Sequence, residues 1–237
     1  GERHGVKRKT ILANRSNYGG KRKRTDIRYI VIHYTANDGD SAEANGRYFQ
    51  TRVTGTSAHY FVDNTEIVLS VPEESTAWAV GGKKYPSADS TGCGKWFGKC
   101  TNKNSISIEL CDTMRDGKYD FSEKTLANAA LLCRELMQKY HIPLENVIRH
   151  FDVVGKICPA PFVENTAAWQ AFRERLGDEM VEMVQVEIDG KIVDMEGIQK
   201  TDEKGNATNF IKLRVLAEML GYEVSSRGSM AVLRKKE

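Results

Sequence analysis

No run in this sequence approaches the ~20 apolar residues that a membrane-spanning helix requires. No signal-peptide pattern is visible near its start. There is no internal repeat and no low-complexity tract. The net charge of +3 is too small to argue for nucleic acid as a partner. Cysteines are few and odd in number, five in all, so at least one thiol stands outside any intramolecular disulfide. From Val184 onward there is neither histidine nor cysteine, which excludes an ordinary His/Cys metal site there. What is present, 40% hydrophobic and 28% charged residues over 237 positions, is an ordinary globular composition. It leaves room for one substantial domain and one small one.

The modest net charge is unevenly spread. Residues 1–26 read as a basic N-terminal arm, with lysines and arginines such as Arg8, Arg22 and Arg24 opposed only by Glu2 and Asp26. Such an arm is either a solvated extension or a segment drawn to an anionic surface such as a cell wall.

Residues 27–177 alternate strand and helix signals. Ile30, Val31 and Ile32 are consecutive β-branched residues in what reads as a buried central strand over 27–35. Ser41 can cap a helix to about Val53, and Asp63-Asn64-Thr65 turns two strands, 58–63 and 66–71, into a hairpin. Between Pro72 and Asn104 the chain is irregular, a length that marks a functional or disordered loop. Cys93 and Cys100 bracket a tight turn there that a disulfide could close. Ser105 to Leu110 alternates strictly, with Ile106, Ile108 and Leu110 on one face and Ser107 and Glu109 on the other. Ser122 caps a helix to Tyr140, where Cys133 falls at a core spacing. A short strand at Val147-Ile148 and a helix over 165–176 complete the domain. The pattern predicts an α/β fold, a mixed central β-sheet flanked by helices.

The chemistry concentrates at Arg149 to Pro159. Here His150 and Cys158 stand eight residues apart with Lys156 between them, and His33 ends the central strand far upstream. Two histidines and one cysteine could hold a single zinc and leave a fourth position open, the arrangement of a catalytic rather than a structural site.

Four segments carry a resemblance: Ile30-Val31-Ile32-His33-Tyr34-Thr35, Ser57-Ala58-His59-Tyr60, Asn104 to Leu110, and His150 to Pro159. Together, and in this order, they resemble the zinc-dependent N-acetylmuramoyl-L-alanine amidases, the type 2 amidases of phage endolysins and bacterial autolysins, which are similar to the peptidoglycan recognition proteins. The resemblance implies one Zn2+ per catalytic domain, with His33, His150 and Cys158 as ligands. It implies that Lys156 stabilises an oxyanion and Glu109 acts as general base, although either could simply be solvent-facing. It also implies peptidoglycan as the partner, cleaved between N-acetylmuramic acid and L-alanine outside the cytoplasm. The absence of a signal pattern agrees with an endolysin released from a host cell. A non-catalytic peptidoglycan-binding module is the alternative, and the presence of Cys158 counts against it. His59 is either a substrate contact or a histidine satisfied within the hairpin. Where the phage-lysozyme branch has a tyrosine before this histidine, this chain has Ala58. Trp78 either lines the substrate groove or anchors its loop, and Asp152 is a candidate partner for a ligating imidazole.

After a linker at 178–183, residues 184–237 read as a small α+β domain. Val184 to Ile188 alternates into Asp189-Gly190, a two-residue hairpin turn, then Lys191-Ile192-Val193. A helix is predicted from Asn209 to Gly221 and a closing strand at 231–233. The pattern is similar to small domains on Gram-positive cell-surface proteins and to the N-terminal domain of copper amine oxidases. At ~50 residues its core is marginal, so wall binding or homodimerisation is the expected role.

Overall fold

The computed structural model describes residues 6–85 and 94–177, and then 182–188, 190–201, 207–211, 213–227 and 230–236. The chain divides into two units, Gly1–Gly177 and Asp178–Glu237.

In chain order the first unit contains strands β1 (Lys7–Thr10), β2 (Tyr18–Lys21) and β3 (Tyr29–Tyr34), helix α1 (Ala42–Thr51), and strands β4 (Tyr60–Val62), β5 (Glu66–Leu69) and β6 (Ser75–Ala77). There follow β7 (Ser105–Leu110), β8 (Thr113–Arg115), β9 (Lys118–Asp120), helix α2 (Glu123–Tyr140), strand β10 (Val147–Arg149) and helices α3 (His150–Val154), α4 (Ala160–Val163) and α5 (Thr166–Gly177). Six of the strands form one sheet in the order β1-β5-β4-β7-β3-β10. Only the β4–β5 hairpin is antiparallel in it, and the other four pairings are parallel. This is the mixed α/β sheet that the alternating pattern predicts.

Period-two alternation sorts the sheet's faces. Ile30 and Ile32 of β3, and Ile106, Ile108 and Leu110 of β7, pack with Ala129, Leu132, Cys133 and Leu136 of α2 and with Phe172 of α5. Ser122 caps α2 by accepting the Thr125 N–H, and Ser41 caps α1 by accepting that of Ala44. The opposite face carries Val31 and His33 of β3 and Ser107 and Glu109 of β7. There α1 covers the β4–β5 end through a cluster that includes Ala42, Phe61 and Val68. The site is built on this second face.

Residues 7–26 correct the expectation of a separate basic arm. β1 is an edge strand paired with β5, and its charges meet partners distant in sequence: Arg8 with Glu135 at 2.7 Å, Lys9 with Glu66 at 3.0 Å. Arg22 donates to the carbonyls of Glu73, Asn102 and Ser105, at 3.0, 3.1 and 2.6 Å. Cationic groups with fixed partners make these residues part of the domain wall. Cys100 is a buried free thiol, and Cys93 lies outside the described residues.

The second unit holds an antiparallel sheet of β11 (Glu182–Ile188), β12 (Lys191–Thr201) and β13 (Ala207–Ile211), helix α6 (Leu213–Met219), and the hairpin β14 (Tyr222–Arg227) and β15 (Met230–Lys235). Gly190, at φ +76, takes the left-handed conformation that the expected turn requires; Asp189 lies outside the described residues. The helix begins later than predicted, because Asn209 pairs with Gln199 in the ladder instead of capping it. Among the described residues, no helix is long and apolar enough to cross a membrane.

Candidate metal centre and active-site cavity

Two parallel neighbours of β3 bring the site together. β7 lies on one side, in a register that pairs His33 with Glu109. β10 lies on the other, pairing Arg149 with Ile32 and delivering His150 immediately afterwards. The Asp152 carboxylate accepts the Arg149 backbone N–H at 2.8 Å and its guanidinium, which closes the start of α3. Gly155, at φ +83, ends α3 in a conformation that favours glycine. The chain then returns, with the Phe151 N–H donating to the Cys158 carbonyl at 2.9 Å. That closure sets the cysteine back beside the histidine.

His33, His150 and Cys158 are all buried, and one potential ligand atom from each lies within 4.8 Å of the others. The Sγ of Cys158 is 3.8 Å from Nδ1 of His33, close to the separation of about 3.6 Å between a sulfur and a nitrogen on one tetrahedral ion. The His33 and His150 ring centroids are 4.7 Å apart. Neither ring nitrogen of His150 has a hydrogen-bond partner, although both are buried. Polar atoms sealed from water without partners are costly unless they bind something. The donor set therefore fits a metal ion.

The electrostatics agree. Burial, then the charges of His150 and Lys156, hold His33 well below its ordinary range. Burial and Lys156 bring His150 down to about 4. Both imidazoles are thus neutral, the form that ligates. Burial and Glu109 push the Cys158 thiol up to about 12, a shift that a cation among the three would reverse.

A cavity of about 690 Å³ opens onto the three. Glu109 and Lys156 line it as well. Oε2 of Glu109 is buried without a partner. Burial raises this carboxyl to about 8, opposed by Lys156 and reinforced by Asp40 and Asp112. Trp78 is 36% exposed, lines the cavity beside Tyr48, Phe49 and Phe61, and anchors its own loop through a backbone N–H donated to Ser57 Oγ at 3.1 Å. Its two readings are compatible.

Two open alternatives from the sequence meet the geometry here. His59 is 1% exposed and is not in the cavity lining. Its Nδ1 accepts the Ser107 N–H at 3.1 Å, and its Nε2 lies 3.0 Å from the Ser75 carbonyl. Both ring nitrogens have partners within the fold, which favours the second of its two readings, a satisfied histidine. Asp152 is engaged by Arg149 and does not meet the imidazole of His150. One residue was not singled out in the sequence: the Ser107 hydroxyl, 3.2 Å from Nε2 of His33. Its signal was its place on the polar face of a strand with one apolar face.

The family model for N-acetylmuramoyl-L-alanine amidase matches residues 23–161, a span that contains all three potential ligands, Glu109 and Lys156. The amidase CwlL of Bacillus licheniformis is 35% identical over 160 residues, 65% of this chain and 42% of that protein. The amidase XlyA of Bacillus subtilis (strain 168) is 36% identical over 151 residues, 63% of this chain and 44% of that one. The chain thus spans less than half the length of these curated relatives. The solved catalytic domain of XlyA is matched over its full length, 73% of this chain, with a TM-score of 0.56 and 30% identity. The solved structure of PlyL is matched over 96% of its length and 73% of this chain, with a TM-score of 0.54 and 32% identity. The family match covers more than half of the chain and contains the whole of the donor cluster: this chain belongs to the N-acetylmuramoyl-L-alanine amidase family.

Proposed function

We propose that this chain is a zinc-dependent peptidoglycan hydrolase, cleaving the amide between the lactyl group of N-acetylmuramic acid and L-alanine, and acting on the bacterial wall outside the cytoplasm. The observation that carries this reading is the buried triad of His33, His150 and Cys158 sharing one cavity with Glu109 and Lys156. Zinc held by the triad supplies a Lewis acid and brings the pKa of a water near neutrality.

The remaining chemistry belongs to the chain. Glu109, without a hydrogen-bond partner at Oε2, takes a proton from the attacking water and returns it to the departing alanine nitrogen. Water thus adds across the C–N bond, leaving a lactyl carboxylate and a free amino terminus. The Lys156 ammonium faces the carbonyl oxygen as it gains negative charge. Trp78 packs against sugar or stem peptide at the cavity rim. A closed structural metal site would need a fourth protein ligand, and the donor cluster found among the described residues has three.

Mass spectrometry of muropeptides after digestion of purified walls tests this. A new L-alanine amino terminus, lost with a chelator and restored by zinc, is the expected product. A new reducing sugar end, or cleavage that survives Cys158→Ala, overturns the reading.

A further inference from the structure

His59 lies outside the cavity yet is joined to the metal centre by buried hydrogen bonds. Its backbone N–H donates to the Ser107 carbonyl at 3.0 Å, and its Nδ1 accepts the Ser107 N–H at 3.1 Å. The two residues are therefore bonded twice. Because Nδ1 accepts, the ring proton is on Nε2, which donates to the Ser75 carbonyl at 3.0 Å. The Arg22 guanidinium stands 2.9 Å from the same nitrogen, held there by its own bonds to the Glu73, Asn102 and Ser105 carbonyls. The far end of this chain is the Ser107 hydroxyl, 3.2 Å from Nε2 of His33, with Nδ1 of His33 turned toward Cys158 Sγ. Ser107, His33 and His59 are each no more than 2% exposed, so no bulk water can replace these contacts.

We propose that His59 and Ser107 are a positioning pair for His33: His59 fixes the backbone of Ser107, whose hydroxyl accepts the His33 Nε2–H and so commits Nδ1 to the metal. A neutral imidazole has one N–H, and the partner of one nitrogen decides which lone pair is free for a ligand. Without the hydroxyl, the His33 ring loses both its tautomer bias and its orientation. The inference rests on reading the triad as a zinc site.

The test measures zinc affinity of the full chain against a competing chromophoric chelator, alongside long-range ¹H–¹⁵N spectra of His33. Ser107→Ala is expected to bind zinc roughly 10–100-fold more weakly, the usual loss for an outer partner of a ligating histidine. Its metal-free His33 should show mixed tautomers in place of one. Ser107→Thr, which keeps the hydroxyl, should recover most of the affinity. His59→Gln, which keeps an acceptor and a donor, should bind more tightly than His59→Phe. Wild-type affinity and an unchanged His33 spectrum in folded Ser107→Ala would overturn the proposal, as would Ser107→Thr binding as weakly as Ser107→Ala. A wild-type chain that binds no zinc would remove the metal reading, and this inference with it.

Discussion

Replacing Glu109 by glutamine separates the proposed catalytic use of this carboxyl from what its position costs the fold. Burial, opposed by Lys156 and aided by Asp40 and Asp112, raises its pKa from 4.5 to about 8. An acid raised in this way holds its proton more tightly in the folded chain than in the unfolded one. Between those two pH values the folded state therefore carries more protons, and stability falls as pH rises through the window. At about 1.4 kcal/mol per unit, the cost at pH 7 is about 3 kcal/mol, an upper figure because the side chain also faces the cavity. Glutamine has no charge to bury. In metal-stripped protein, Glu109→Gln should match the wild type near pH 4.5 and exceed it by up to about 3 kcal/mol at pH 7. Urea unfolding followed by tryptophan fluorescence reads this directly, since Trp78, Trp96 and Trp169 all belong to the first unit. With zinc bound, the gap should narrow, because a nearby dication favours the carboxylate. The same variant should lose roughly 10²–10⁴-fold in turnover on wall substrate, as expected when a general base is removed. A stability difference that is constant from pH 4.5 to 8, or a wild type that is the more stable at pH 8, refutes the reasoning.

Lys156→Met should lower kcat roughly 10²–10³-fold, the usual cost of one oxyanion donor. Zinc affinity in the chelator assay should not fall, because the ammonium contributes no ligand and its positive charge, which already disfavours the protonated imidazoles, also opposes a dication beside them. Asp63→Ala should destabilise the first unit by about 2–4 kcal/mol in urea melts. Its carboxylate accepts the N–H groups of Ala42, Thr65 and Glu66 at 2.8, 2.7 and 2.8 Å, joining the start of α1 to the β4–β5 turn. Burial raises the Asp63 pKa, but these three donors more than offset it and the net shift is downward. Its contribution is therefore present above the ordinary carboxylate range and disappears as pH falls through the lowered value. The second unit exposes Ile192, Leu213, Met219, Leu220 and Leu233, so sedimentation should show concentration-dependent self-association of the full chain that residues 1–180 lack. Equal sedimentation behaviour would leave wall binding, read by pull-down, as the role of that unit.

Much of the fold was legible because its signals are local. Three consecutive β-branched residues identify β3, Ser122 identifies the start of α2, and the eight-residue spacing of His150 and Cys158 survives as a closed turn. The basic N-terminal segment was illegible for the converse reason. An edge strand is blunted with charge, so Lys7, Arg8 and Lys9 look solvated until Glu66 and Glu135 are brought to them. Arg22 looks like one of a basic run until three carbonyls surround it. In the second unit, Asn209 has the chemistry of a helix cap, but its backbone is already committed to the β12–β13 ladder, and tertiary pairing overrides a local preference.

The site shows the same division between local and assembled signals. His33, His150, Cys158, Glu109 and Lys156 could be singled out because each has a chemistry that a plain core does not need. Ser107 has none: one more serine on an alternating strand is the commonest of patterns. Its importance arises only from parallel pairing, which sets β7 beside β3 so that a hydroxyl reaches the outer nitrogen of His33. His59 was ambiguous because a histidine that touches substrate and one that supports a ligand from behind occupy the same position in sequence, one residue before β4. What separates them is the direction of the ring. In this fold its Nδ1 accepts the Ser107 N–H, its Nε2 meets the Ser75 carbonyl beside the Arg22 guanidinium, and the residue does not line the cavity. A substitution that spares substrate affinity while weakening the metal is therefore the signature of His59, and the opposite pattern is the signature of Trp78.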